Sequence, residues 1–251
     1  MEMAFYRIQW SFVRRALAAF NFPQTWINLI MECISFPRFG LLVNGAKAQW
    51  INASCGLRQG CPLSPYLFIL CSDFLSQLIR NSRHPGLGIK INASASKITH
   101  LLFVDDTLLF GTATAGTANE FSNILRSYCA QSGEAINASK SNIIFSHKVQ
   151  SQAKEAILQV LGYKDVKSFY YLGIKLRPGK VRRAYYDEVL EKMACKLRCW
   201  GLRHLSMAGR VTLINSTLSA IPLHVLANSP MPLSIIKKIE SLLKNFSGMV
   251  A

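Results

Sequence analysis

Residues 98–110 read Ile-Thr-His-Leu-Leu-Phe-Val-Asp-Asp-Thr-Leu-Leu-Phe, two apolar runs on either side of the adjacent carboxylates Asp105 and Asp106. The runs predict two short strands, and the acidic pair predicts the tight turn between them, since Asp tolerates turn geometry. Strands this apolar belong in a buried sheet. Two like charges at the end of such a sheet repel one another and lose solvation, and nearby cations offset both costs. Hard divalent ions take oxygen ligands of this kind. A carboxylate pair on a hairpin is half of a two-metal phosphoryl-transfer site. A solvated Asp-Asp turn needs no function at all, so the rest of the chain has to decide between the two.

The charge balance bears on that choice. The 251 residues carry 29 Lys+Arg against 13 Asp+Glu, a formal charge of +16. Such an excess suits a polyanionic partner, nucleic acid before an acidic membrane surface. Only Glu2, Glu32 and Asp73 precede Asp105 among the acids, so two adjacent carboxylates in this background are conspicuous. Half the residues are hydrophobic, enough for one large core or two small ones. No run of about 18 uncharged apolar residues is present, so no transmembrane helix is expected. Seven cysteines, an odd number without framework spacing, fit a reducing compartment rather than a secreted disulfide scaffold. Cys195 and Cys199 lie one helical turn apart but lack the further ligands of a zinc site.

In chain order, Trp10, Val13, Leu17 and Phe20 fall at helical spacing, and Pro23 suits the first turn of a second helix reaching about Ser35. Asn44-Gly45 between apolar runs predicts a hairpin. Gly56-Leu-Arg-Gln-Gly60-Cys-Pro-Leu-Ser-Pro65 is a Gly/Pro loop opening a long apolar helix to about Arg80. Its glycines allow close backbone approach, Arg58 offers a fork of donors to phosphate, and the helix start adds free N–H groups. A plain connection capped by Ser64 explains the same residues. Leu87 to Ile91 is expected as a strand, 115–132 and 153–161 as helices ended by Gly133 and Gly162, and 169–176 as a hairpin arm. After Pro178-Gly179 the pattern becomes helical, over about 182–200, 208–220 and 233–246, with 11 Lys+Arg against 4 Asp+Glu. The expected class is therefore α+β, an antiparallel sheet with packed helices over 1–177 followed by a basic helical lobe over 178–251.

Taken together, Gly56 to Pro65 followed by Phe103-Val-Asp-Asp106 resembles motifs B and C of reverse transcriptases. Ser132-Gly-Glu-Ala-Ile-Asn-Ala-Ser-Lys140 resembles motif D, and Tyr171-Leu-Gly-Ile174 resembles the primer grip of motif E. Ala208-Gly-Arg-Val-Thr-Leu-Ile to Pro222 resembles the thumb of LINE-type (non-LTR) retrotransposon polymerases, particularly those of plants. The resemblance covers essentially the whole chain. It implies a right hand of fingers, palm and thumb that copies an RNA template onto a DNA primer from deoxynucleotides, using two Mg2+ (or Mn2+) ions. It implies that Asp105 and Asp106 are the motif C metal carboxylates. It lays Gly56, Arg58, Gln59 and Gly60 along the incoming nucleotide and template. Lys140 falls near the lysine proposed to protonate the leaving pyrophosphate, and Tyr171, Leu172 and Gly173 fall in the primer grip. No membrane partner is implied, and the family's setting is nucleus or cytoplasm.

The opening departs from the family. Met3-Ala-Phe-Tyr-Arg-Ile-Gln-Trp10 aligns with the second half of motif A, which makes Phe5 the aromatic gate against a ribose 2′-hydroxyl. Tyr6 stands where the family has Asp. The metal-binding Asp of motif A is expected just before Met1, with the fingers and any endonuclease portion of the parent element also upstream. Two carboxylates leave a two-ion site short of a ligand, so the isolated chain is expected to have little or no polymerase activity. A non-catalytic basic RNA/DNA-binding remnant, a pseudogene product and a group II intron maturase-like enzyme are the competing readings.

Overall fold

The computed structural model describes residues 4–179, 185–200, 205–227 and 231–248. They form two compact units, divided between Val166 and Lys167. The first begins with three helices, α1 (Ala4–Arg7), α2 (Trp10–Ala19) and α3 (Gln24–Ile34). A ribbon of four two-residue strands follows, β1 (Arg38–Phe39), β2 (Leu42–Val43), β3 (Ala46–Lys47) and β4 (Ile51–Asn52). Then come α4 (Ser64–Asn81), β5 (His100–Phe103), β6 (Asp106–Leu109), α5 (Ala115–Ser132), β7 (Asn142–Ile143), α6 (Ser151–Leu161) and β8 (Lys164–Asp165).

Helical periodicity placed these helices well because each buries one stripe. Phe12, Val13, Ala16 and Leu17 of α2 meet Ile27, Ile30 and Met31 of α3, Leu67, Cys71 and Leu75 of α4, and Phe121, Leu125 and Tyr128 of α5 in one core. Each fully buried side chain of this size contributes roughly 1.5–3 kcal/mol of transfer free energy. The helix α5 starts at Thr114, whose Oγ1 accepts the Thr117 N–H at 3.2 Å, and stops at Gly133 in the left-handed region (φ +80°). Thr114→Ala is expected to cost about 1 kcal/mol, read as a lower urea midpoint at unchanged slope. An unmoved midpoint would mean that the Thr114 side chain does not cap α5.

The strands depart from expectation in two ways. No continuous antiparallel sheet forms among the described residues. Instead there are five two-stranded ladders, four antiparallel and one, β7 with β8, parallel. Residues 87–91 make only isolated bridges, Leu87 with Gly111 and Ile89 with Ile98. The segments, two to four residues long, are too short to extend a ladder on both edges, and the four strands of the ribbon stay exposed. The mixed helix and small-sheet α+β class holds.

The second unit opens with the hairpin β9 (Phe169–Tyr171) and β10 (Ile174–Leu176). It continues with α7 (Asp187–Trp200), α8 (Met207–Leu213), α9 (Ala220–Leu226) and α10 (Leu233–Ser247). The hairpin therefore lies with the helical unit, although the sequence pattern changes only after Gly179. The stretch expected as one helix over 208–220 is interrupted by a π-helical turn at Ile214–Leu218. That extra residue per turn brings Leu218 fully into the second core beside Tyr186, Met193 and Ile235. Glu188 at the start of α7 accepts from Lys175 Nζ at 2.7 Å and from the Tyr170 hydroxyl, tying α7 to the hairpin. No helix among the described residues is long and apolar enough to cross a membrane.

Candidate active site

The carboxylate hairpin forms, with a shifted turn. Phe103 pairs with Asp106, so Val104 and Asp105 are the two turn residues and Asp106 opens β6. The physical reason lies at Val104, which takes φ +48°. A two-residue turn with positive φ at its first position matches the right-handed twist of the flanking strands. A β-branched residue there is strained, a feature that concentrates at functional sites. The shift separates the two acids: Asp105 is half-buried and Asp106 exposed.

Asp105 and Val104 line a cavity of about 270 Å³ together with Phe5 and Tyr6 of α1, Gln59 and Gly60 of the Gly/Pro loop, and Ser64 and Pro65 at the start of α4. Three segments far apart in sequence thus meet at one place. The Phe5 ring lies stacked on Phe68 of α4, centroids 4.6 Å apart and planes 8° from parallel, so its position is set by the helix. Backbone bonds clip the first segment to the loop: Gly56 N–H donates to Ile8 C=O at 2.8 Å and Leu57 N–H to Phe5 C=O at 2.6 Å. The Trp10 indole N–H closes the clip on Gly56 C=O at 2.8 Å. Gly56 sits at φ +92°, and a Cβ there would lie 2.6 Å from the Tyr6 carbonyl oxygen. This is the close approach for which the sequence offered a glycine.

The start of α4 is electropositive. The Leu63 backbone N–H, then Ser64 and the Arg58 charge, hold the Cys61 thiol below its usual range although burial opposes them. The same donors suit a phosphate oxygen. Ser64 does not cap the helix as a plain connection would require; it is the first helical residue, and its side chain is buried at the cavity wall.

Of the residues singled out from sequence, Phe5, Gln59, Gly60 and Asp105 line the cavity, while Gly56 acts one step back as the clip. Arg58 is exposed on the loop. Lys140 is exposed in a turn closed by Asn137 and is not among the lining residues. Tyr171 ends β9, and Leu172 and Gly173 form its turn at φ +50° and +78°, within the second unit. Glu2 lies outside the described residues.

Sequence reasoning missed Glu134. It is buried, accepts the Tyr128 hydroxyl at 3.1 Å, and lies in electrostatic range of Asp105. Burial pushes its carboxyl up to about 7; the Tyr128 hydrogen bond opposes that rise and the Asp105 charge adds to it. Its one sequence signal was an acid directly after the Gly133 helix stop, in a chain short of acids.

For divalent ions the donors at the hairpin are of the right kind. Asp105 and Asp106 supply hard oxygen ligands. Among the described residues no group of three or more His, Cys, Asp or Glu side chains is placed to hold a metal ion.

A carboxylate hairpin, an aromatic shelf and a glycine loop opening a helix thus meet around one cavity. The chain belongs to the reverse transcriptase (RNA-dependent DNA polymerase) family, whose profile matches residues 1–176. An uncharacterized mitochondrial protein of Arabidopsis thaliana is 50% identical over 68 residues, 26% of this chain and 56% of that protein. The retrovirus-related Pol polyprotein of the type-1 retrotransposable element R2 from Popillia japonica is 32% identical over 109 residues, 43% of this chain and 17% of the polyprotein. The uncharacterized 149 kDa protein of transposon TX1 from Xenopus laevis is 25% identical over 98% of this chain and 19% of its own length. The transposon relatives are in line with the LINE-type resemblance. The chain spans little more than half of the Arabidopsis protein and under a fifth of the two transposon proteins.

Proposed function

We propose that this chain is the palm and helical thumb of a LINE-type retroelement polymerase, the part that holds an RNA template, a DNA primer and the incoming deoxynucleotide. The cavity shared by Asp105, the Phe5–Tyr6 corner and the Gly60–Pro65 helix start is the observation that supports this most. In this reading the Phe5 ring, braced on Phe68, abuts the sugar and disfavours a 2′-hydroxyl. Gln59 and Gly60 border the base and the template nucleotide. The first N–H groups of α4 and the Arg58 guanidinium face phosphate oxygens. The Tyr171–Gly173 turn holds the primer strand, and the basic helices after it hold the duplex backbone. Lys140, exposed on its turn, is the candidate proton donor to the leaving pyrophosphate.

When bound, Mg2+ or Mn2+ would neutralise phosphate charge at Asp105 and Asp106. With two carboxylates, we expect the isolated chain to hold one ion in preference to two and to extend primers only at trace level. The test is Mn2+ titration calorimetry of the chain beside Asp105→Asn/Asp106→Asn, with primer extension on an RNA template. Saturable binding in the first, lost in the double variant, is the expected result. Equal heats in the two would refute the metal role. Vigorous template-directed synthesis by the isolated chain would refute the expected inactivity while upholding the family activity.

A further inference from the structure

The ribbon over residues 38–52 does not behave as part of the core. Strands β1 and β4 pair through Phe39 and Ile51, β2 and β3 through Leu42 and Lys47, and Asn44-Gly45 turns the tip. Its large side chains remain in water: Phe39 is 46% exposed, Leu42 76% and Trp50 53%. An exposed cluster of this kind marks an interaction surface. Charge indicates the partner. No Asp or Glu lies between Glu32 and Asp73, while Arg38, Lys47 and Arg58 all do. The Lys47 ammonium stands over the Trp50 ring, 4.1 Å from its centroid. Gly40 leaves room beside that ring, where a Cβ would lie 3.2 Å from an indole carbon. An exposed aromatic plane and a cation therefore occupy one spot. That pairing suits a nucleic-acid single strand, whose bases stack on the ring and whose phosphates take the ammonium. An apolar protein segment would bury the ring but leave the charges of Arg38 and Lys47 without a counterpart.

We propose that the 38–52 ribbon is a platform for single-stranded nucleic acid, with Trp50 as the stacking residue and Lys47 and Arg38 as phosphate contacts. It rests on the reading of the chain as nucleic-acid binding and adds a surface apart from the Asp105 cavity. The test is fluorescence anisotropy with a fluorescein-labelled 15-mer of uridine, in EDTA so that the metal site plays no part. Trp50→Ala should weaken binding about tenfold, and Trp50→Phe should retain most of the affinity. Lys47→Ala should lower the slope of log affinity against log salt by about 0.7. Because these side chains are exposed, unchanged thermal melts are expected alongside. Wild-type binding with Trp50→Ala within twofold of it would overturn the platform and leave the polymerase reading intact. Absence of wild-type binding would overturn both. Trp50→Ala that alters self-association in sedimentation but not oligonucleotide affinity would overturn the platform in favour of a protein-facing surface.

Discussion

Gly56→Ala is expected to destabilise the first unit by about 3 kcal/mol and to open the cavity. Two costs combine. A φ of +92° is foreign to L-residues, which accounts for roughly 1–2 kcal/mol. The added methyl would also stand 2.6 Å from the Tyr6 carbonyl oxygen, a backbone atom that cannot swing aside as a side-chain tip would. Relief requires separating the two segments, and with them the bonds from Gly56 to Ile8 and from Leu57 to Phe5. Gly45 supplies the control. It has φ +82° but nothing within 4 Å of its would-be Cβ, so Gly45→Ala should show the conformational cost alone, about 1 kcal/mol. Urea unfolding of both variants separates the effects. Equal losses would mean that the close approach to Tyr6 contributes nothing.

The second large effect is a pH dependence traceable to one carboxyl. Glu134 is raised by burial to about 7 in the folded chain, against an ordinary value of 4.5. The folded state therefore binds the proton more tightly than the unfolded state. Between pH ~4.5 and ~7 the folded state carries more protons, so stability falls as pH rises through this window and the loss is complete above it. The shift corresponds to about 3 kcal/mol at 1.36 kcal/mol per unit. Tyr128, Cys71 and Cys129 lie around the group, and their own protons are pushed upward, chiefly by burial and further by the Glu134 charge. They stay neutral across the window and do not mask it. His100 works in the opposite direction, because burial, then the Arg80 charge, lowers its affinity for a proton. The comparison of wild type with Glu134→Gln removes that background. Unfolding free energies from urea curves at pH 5 and pH 8 should differ for wild type by about 2.5 kcal/mol more than for the variant. Parallel profiles would place Glu134 in contact with water.

The legible parts of the molecule were those governed by local pattern. The apolar stripes of α2, α3, α4 and α5 repeat every three or four residues because each helix buries one face. Gly133 and Gly162 marked helix ends because the left-handed caps at φ +80° and +70° favour glycine. Asn44-Gly45 marked a hairpin for the same conformational reason. The strands were less legible. Segments of two to four residues carry too little alternation to reveal their partners, so 87–91 was expected as a strand where only isolated bridges form, and the parallel pair β7–β8 was not foreseen. The turn of the carboxylate hairpin was misplaced by one residue because Asp is the better turn former and Val104 breaks that rule under tertiary constraint.

By itself the sequence determined the family, the main helices of the first unit, the motif order and the scarcity of acids around Asp105 and Asp106, since each is written in residue type and spacing along the chain. Only the tertiary structure decided which of those residues meet. It brought Phe5, Gly60, Ser64 and Asp105 to one cavity and left Lys140 on an exposed turn. It also buried Glu134 within reach of Asp105 and left Trp50 exposed beside Lys47. The physical reason is that burial, electrostatic neighbours and close backbone approach are properties of the packed chain, and no one-dimensional pattern carries them.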